Sequence, residues 1–181
     1  FKSSAGAATE YLFRKGNPAD DHGILEGYIT QVSGTNGKVR FVLKDAGSSD
    51  NTLLTSTDTW NDGKWHHYVG AKQSGSMKLY LDGRLNTSAV NDPTHSVTWG
   101  GMSELFGIGT NGNGGNPATN TELTLMKVSG DAPTDEQVKK IYNDEKKLFE
   151  PNAKCTLYGS SDTVTAVAYD DSTDTSYAGT S

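Results

Sequence analysis

Cysteine is almost absent: Cys155 is the only one in 181 residues, so no internal disulfide framework braces the fold. That fits assembly in a reducing cytosol, although many secreted proteins also lack disulfides. No apolar run approaches the ~20 residues that a membrane-spanning helix needs. Neither heptads nor a glycine triplet period occur, which excludes a coiled coil and collagen. Basic charge is short as well. Sixteen Lys and Arg stand against 22 Asp and Glu for a net charge of −6, and no basic face is visible that could displace counterions from a nucleic acid. The chain opens Phe1-Lys2-Ser3-Ser4 with neither Met nor a signal-peptide pattern, so either something has been removed or this is part of a longer polypeptide.

What is present is enough for a globular fold. Apolar residues at 33%, with 21 glycines added, reach about 45% of the chain, an ordinary value that rules out wholesale disorder. A chain of this length buries roughly 70% of its unfolded surface. The charge is unevenly placed. Through Lys154 there are 16 basic and 18 acidic residues, a net of −2, whereas residues 155–181 carry only Asp162, Asp170, Asp171 and Asp174, a net of −4. The tail therefore differs in kind from the body.

Strand patterns dominate residues 9–129. Thr9 to Arg14 alternates loosely, and a loop follows at residues 16–21. Ile24 to Val32 places Ile24, Glu26, Tyr28, Thr30 and Val32 on one face and Leu25, Ile29 and Gln31 on the other. The turn Thr35-Asn36-Gly37 leads into a strand at Val39 to Leu43, and Leu53 and Leu54 sit in a short Thr-rich strand. Trp65–Lys72 and Met77–Leu81 form a hairpin, and Asp82-Gly83 between apolar runs signals a type I′ turn into Arg84-Leu85, because both central residues need positive φ. Strands are also expected at Leu105–Gly109 and Leu123–Val128.

One helix is predicted over Thr134–Phe149. Thr134 and Gln137 make a capping box behind Pro133; Val138, Ile141, Tyr142, Leu148 and Phe149 share a face, and Pro151 ends it. The lysines of the outer face are interspersed with acids and read as solvated. Beyond it, Thr163–Tyr169 and Thr175–Ala178 form a hairpin around an Asp-rich turn. A lone hairpin is marginal in water, so residues 155–181 are expected to lie outside the first domain and to pair with a further module or a second subunit.

The run Asn61-Asp62-Gly63-Lys64-Trp65-His66-His67-Tyr68-Val69, followed by Met77-Lys78-Leu79-Tyr80-Leu81-Asp82-Gly83-Arg84, resembles the laminin-G-like, concanavalin-A-like lectin-glucanase jelly-roll family. Phe106-Gly107-Ile108-Gly109 and the strand-then-helix ending at 123–149 resemble it too. The resemblance covers residues 1–149 and implies an all-β, two-sheet antiparallel jelly-roll sandwich with one short C-terminal helix. The domain is placed at 1–150, with a linker and β-hairpin at 151–181 as the possible start of another β-module. In the family, opening strands normally precede a segment like Phe1-Lys2-Ser3, so the chain is expected to enter partway through the domain. Where the family's last strand often carries an acidic pair, Thr124 and Leu125 stand here. The hairpin at 163–178 resembles the first hairpin of a propeller blade.

His66 and His67 are adjacent on a strand, point to opposite faces and cannot grip one ion together, so both are expected to be structural. Trp65 and Tyr80 are expected in the core. Trp99, beside Gly100-Gly101, is a candidate for stacking on a sugar face or for packing under its loop. Asn111, Asn113 and Asn116 in an Asn/Gly loop are candidate ligand contacts, and Asp20 and Asp21 are candidate calcium ligands; turn formation is the favoured explanation of the same residues. Calcium is thus a possible cofactor and no other is implied.

Glycoside hydrolysis needs two facing carboxyl groups ~5–9.5 Å apart. No strand carries two acids at i, i+2, and Glu26, Glu104 and Glu122 stand alone; Cys155 has no activating partner nearby in sequence. The expectation is a non-catalytic recognition or structural module of a modular extracellular or virion assembly. It would resemble a phage tail or fibre protein or a surface adhesin, and would bind a glycan or a neighbouring subunit through rim loops. The alternatives are a concanavalin-like glycoside hydrolase and a purely architectural spacer.

Overall fold

Short alternating segments with glycine-marked turns build a stack of strands, and one capped helix closes it. The computed structural model describes residues 1–4, 8–16, 23–30, 34–44, 51–73, 75–90, 106–110, 117–149, 164–173 and 175–180. The chain divides into two units, Phe1–Lys147 and Leu148–Ser181.

In the first unit, strands β1 (Lys2–Ser3), β2 (Glu10–Lys15), β3 (Ile24–Ile29), β4 (Lys38–Lys44) and β5 (Asn51–Thr59) are followed by β6 (Tyr68–Gln73), β7 (Ser76–Leu81) and β8 (Arg84–Val90). Two short strands, β9 (Gly107–Ile108) and β10 (Thr121–Glu122), precede helix α1 (Asp135–Glu145). Every pairing is antiparallel. One sheet has the order β5-β4-β3-β2-β9 and the other β6-β7-β8, while β1 pairs with β10. Lys2 also bridges Trp65, so β1 carries the second sheet onward to β10.

The two sheets pack as a jelly-roll sandwich. Ile29 of β3, Val39, Phe41 and Leu43 of β4, and Leu54 of β5 meet Met77, Leu79 and Leu81 of β7 in one buried cluster. They are the inward-facing residues of their strands. At Gly70 the sheets approach so closely that a Cβ would lie 2.8 Å from the Phe41 ring. β7 is covered on its other face too: Tyr80 packs with Ala71 and Val138 beneath α1. Tyr80 Oη donates to Asp135 Oδ1 at 2.7 Å and Lys78 Nζ donates to the same oxygen at 2.9 Å. The Asp82-Gly83 turn has the expected positive φ, 48° and 73°, and a Cβ at Gly83 would strike the Tyr142 side chain of α1 at 2.8 Å.

Three expectations need correcting. Leu123–Val128 forms no ladder; pairing stops at Glu122, and Leu125 sits at φ 50°, a left-handed step that an extended run cannot absorb. The expected strand Leu105–Gly109 shrinks to Gly107–Ile108, with Leu105 outside the described residues. The α-helix is capped by Thr134 with Gln137, as expected, but it ends at Glu145 and continues as a 3-10 turn, Lys146–Phe149. The tighter winding breaks the 3.6-residue period, and Leu148 is left 69% exposed.

The second unit contains the hairpin of β11 (Val164–Asp170) and β12 (Thr175–Thr180), paired from Asp170↔Thr175 to Val164↔Thr180. Asp170 Oδ1 accepts from Ser172 N at 2.9 Å and Ser172 Oγ at 2.6 Å, which closes the turn. Val167, Tyr169 and Tyr177 are exposed.

Candidate functional site

The outer face of the five-stranded sheet carries two rows of side chains, set by cross-strand register. One row runs Tyr11, Tyr28, Arg40 and Thr55; the next runs Arg14, Glu26, Val42 and Leu53. Directly opposed residues share a face, so these eight form a grid over four strands. Tyr11 and Arg14 are three apart in sequence and would face opposite ways in a regular strand. A bulge between Tyr11 and Phe13 inserts the extra residue that brings them to one side.

The grid is locked by its own polar groups. The Tyr11 and Tyr28 rings lie 5.6 Å apart and tilted by 55°. Arg14 sits 5.4 Å from the Tyr11 ring centre and donates from Nη1 to Tyr11 Oη at 3.3 Å. Arg40 repeats this on Tyr28, at 5.8 Å from the ring centre, with Nη1 donating to Tyr28 Oη at 3.2 Å and Nη2 to Thr35 Oγ1 at 3.4 Å. Arg14 also faces Glu26, Nε to Oε2 3.4 Å, with both side chains largely buried. Burial pushes the Glu26 carboxyl above its usual range, and the Arg14 charge opposes that rise. Burial, reinforced by Glu26, likewise raises the Tyr11 hydroxyl. Arg14 is matched by Glu26, whereas the Nε of Arg40 is buried without a hydrogen-bond partner. The face therefore presents two half-buried aromatic rings and the half-buried Arg40, while Arg14 and Glu26 form a largely buried pair beside them.

Two further strand carboxylates have structural work. Glu10 is 2% exposed. It accepts from Thr119 N, Asn120 N and Asn120 Nδ2 at 3.2, 3.0 and 3.1 Å and from the hydroxyls of Thr119 and Thr121, fastening β2 to the segment that enters β10. Burial opposes its ionisation, but these donors outweigh it and hold the Glu10 carboxyl below its usual range. Glu122 pairs with Lys2 at 2.7 Å.

His66 and His67 divide as alternation requires. The His66 ring faces Asp82 Oδ2 at 3.0 Å through Nδ1 and Asp62 Oδ1 at 2.9 Å through Nε2, and it packs edge-on to Trp60 at 4.8 Å. Carboxylates only accept, so both ring nitrogens must donate, and the imidazolium form satisfies the pair. Burial favours the neutral ring, but the hydrogen bonds to Asp82 and Asp62 outweigh it and raise the His66 pKa. Asp62 shows the reciprocal effect: burial opposes its charge, yet bonds from His66 and Lys64 hold it down at about 2. The His67 ring lies on the opposite side against Tyr142, 6.0 Å between ring centres, and burial lowers its pKa. Asp82 Oδ1 accepts from His67 N at 2.9 Å. The aspartate of Leu-Asp-Gly thus clamps the two histidines, which explains why the two sequence runs occur together.

The residues singled out in the sequence, Trp99, Asn111, Asn113, Asn116, Asp20 and Asp21, all lie outside the described residues. Among the described residues, no group of three or more His, Cys, Asp or Glu side chains is placed to hold a metal ion. No helix among them is long and apolar enough to cross a membrane. The Tyr/Arg grid was missed in the sequence except for the shared face of Glu26 and Tyr28. Its other members depend on the bulge and on register across strands.

Similar folds are known. The structure aligns with the heptameric SAP-like pentraxin of Limulus polyphemus at TM-score 0.54 and 22% identity, over 78% of this chain and 65% of that one. It also aligns with the CBM40 of the Ruminococcus gnavus IT-sialidase at TM-score 0.56 and 17% identity, over 78% of each chain. The same CBM40 bound to α2,6-sialyllactose aligns at TM-score 0.55 and 16% identity. At these identities the likeness is one of fold. The chain spans just under two thirds of the pentraxin. No curated protein sequence matches it. Residues 2–139 match the laminin-G-type model of the concanavalin A-like lectin/glucanases superfamily, and the chain belongs to that family.

Proposed function

We propose that this protein is a non-catalytic glycan-recognition module that binds through the outer face of its five-stranded sheet. The carrying observation is the grid itself, Tyr11 and Tyr28 in contact with Arg14 and Arg40 over them. Sugars offer apolar C–H faces to aromatic rings and hydroxyl or carboxylate oxygens to guanidinium groups. A similarly folded CBM40 bound to sialyllactose supports a carbohydrate as the ligand class. In this reading Trp99, Asn111, Asn113 and Asn116 stay candidates for additional ligand contacts. The module serves a larger extracellular or virion assembly, in the manner of a tail fibre or a surface adhesin.

A hydrolase is disfavoured because three carboxylates of the sandwich strands are engaged, Glu26 by Arg14, Glu10 by three successive residues and Glu122 by Lys2. The test is titration calorimetry with α2,3-sialyllactose and with lactose, on the wild type and on Tyr28→Ala and Arg40→Ala. Each variant should weaken binding about tenfold, equivalent to roughly 1.4 kcal/mol, with the folded circular-dichroism spectrum kept. Binding unchanged in both variants, absence of binding to any member of a glycan array, or release of cleaved sugar would overturn the reading.

A further inference from the structure

The outer face of the three-stranded sheet changes character along its length. Cross-strand register sets Val69 beside Tyr80, Ala71 beside Lys78 and Gln73 beside Ser76, and directly opposed residues share a face. Met77, Leu79 and Leu81 point into the sandwich core, so alternation turns Ser76, Lys78 and Tyr80 outward. Val138 and Ala132 pack over Val69, Ala71 and Tyr80 at one end, while Gln73 at the other end is exposed. Between the two lies a cavity of about 240 Å³. Tyr80, Ala132 and Pro133 form its apolar wall, and Gln73, Ser76 and Lys78 its polar one.

The polar wall is rich in hydrogen-bonding groups yet electrically balanced. Lys78 Nζ donates to Asp135 Oδ1 at 2.9 Å, and Tyr80 Oη donates to the same oxygen at 2.7 Å. The carboxylate cancels the ammonium charge, and the ammonium retains further N–H donors. Gln73 adds an amide and Ser76 a hydroxyl, and each of these groups can both donate and accept.

We propose that this cavity binds one neutral sugar ring. The ring lays a C–H face on Tyr80, Ala132 and Pro133 and offers two neighbouring hydroxyls to Gln73 and Ser76. Three observations set the occupant. The volume lies below the ~300 Å³ at which sites for drug-sized ligands begin, so it suits a single six-membered ring. The Lys78–Asp135 pair leaves no net charge to attract an ion. Gln73 and Ser76, side by side across the strands with Cβ atoms about 5 Å apart, match hydroxyls on adjacent carbons, which likewise donate and accept. The apolar wall opposite gives the ring's C–H face a surface to exclude water from. This site is separate from the Tyr/Arg face, which lies on the other sheet, so either reading can fail without the other.

The test records two-dimensional amide spectra of the full 181-residue chain during titration with methyl β-galactopyranoside, methyl β-glucopyranoside and methyl α-mannopyranoside. At least one should shift the Gln73, Ser76 and Ala132 amides, with half-saturation at about 1–10 mM, as the small size of the ligand dictates. Cyclohexanol, which keeps the ring but lacks neighbouring hydroxyls, should not shift them, nor should sodium acetate. Gln73→Ala and Ser76→Ala should each raise the half-saturation point about fivefold, the loss of one hydrogen bond. Neither residue belongs to a buried cluster, so both variants should keep the melting temperature. The proposal fails if no glycoside shifts these amides, if cyclohexanol or acetate shifts them as strongly, or if both variants bind like the wild type. Shifts confined to Tyr28 and Arg40 would put the sugar on the Tyr/Arg face and overturn it as well.

Discussion

At the scale of single residues, the two histidines of the Trp-His-His run oppose one another electrostatically. His66 is charged between two carboxylates, and its pKa is raised above 6.5; burial lowers that of His67 below 6.5. The linkage signs follow. A raised folded-state pKa contributes stability that is complete below 6.5 and is lost as pH rises through the folded value. A lowered one contributes stability present above 6.5 and lost as pH falls through its folded value. The two contributions fall away in opposite directions, that of His66 as pH rises above 6.5 and that of His67 as pH falls below it. Thermal melts across pH 5–9 should show both declines, and His66→Asn should flatten the alkaline decline while leaving the acid-side decline. An unaltered alkaline limb would show that the Asp62–His66–Asp82 clamp holds nothing. Asp62, held at about 2, adds a contribution complete above 3.8 that disappears only in strong acid.

Elements show a division between local signals and packing. Helix α1 has eleven residues, too few to be stable alone in water. What holds it is Val138 packed against Tyr80 and Ala71, with Asp135 tied to β7. Its start is nevertheless fixed locally, by Gln137 N donating to Thr134 Oγ1 at 3.2 Å and Thr134 N donating to Gln137 Oε1 at 2.8 Å. Thr134→Ala should cost about 1 kcal/mol and lower the melting temperature by roughly 2–4 °C, as read by calorimetry. The helix should re-form one residue later and the sheets should be untouched. A loss several times larger would mean that the cap also holds the sheet beneath.

For the whole molecule, the sandwich and the hairpin of the second unit have different means of support. The first unit has two buried clusters, one between its sheets and one under its helix. The hairpin β11–β12 has Val167 at 74%, Tyr169 at 61% and Tyr177 at 56% exposure, and a two-stranded ribbon without cover frays in water. The hairpin β11–β12 is therefore expected to be less stable than the sandwich. Hydrogen exchange on the 181-residue chain should leave Val164–Asp170 amides exchanging far faster than those of β7. Equal protection in the two strands would place the hairpin within the cooperative unit of the sandwich.

The sequence by itself determined what short-range rules can determine. Strand patterns located β3, β4 and the β6–β7 hairpin, the Asp82-Gly83 pair specified its turn, and Thr134 with Gln137 fixed the helix start. The Trp-His-His and Leu-Asp-Gly runs carried the family. Tertiary structure alone decided the rest, because each remaining feature depends on residues distant in sequence. A one-residue bulge brings Tyr11 and Arg14 to one face, and cross-strand register sets Tyr28 and Arg40 beside them. A left-handed Leu125 stops a strand that its composition favours. Glu10, an ordinary acid in sequence, becomes a buried tie because three backbone-adjacent donors more than a hundred residues away close around it. Periodicity reports which residues share a strand face; which strands stand side by side, and in what register, is set only when the sheets pack.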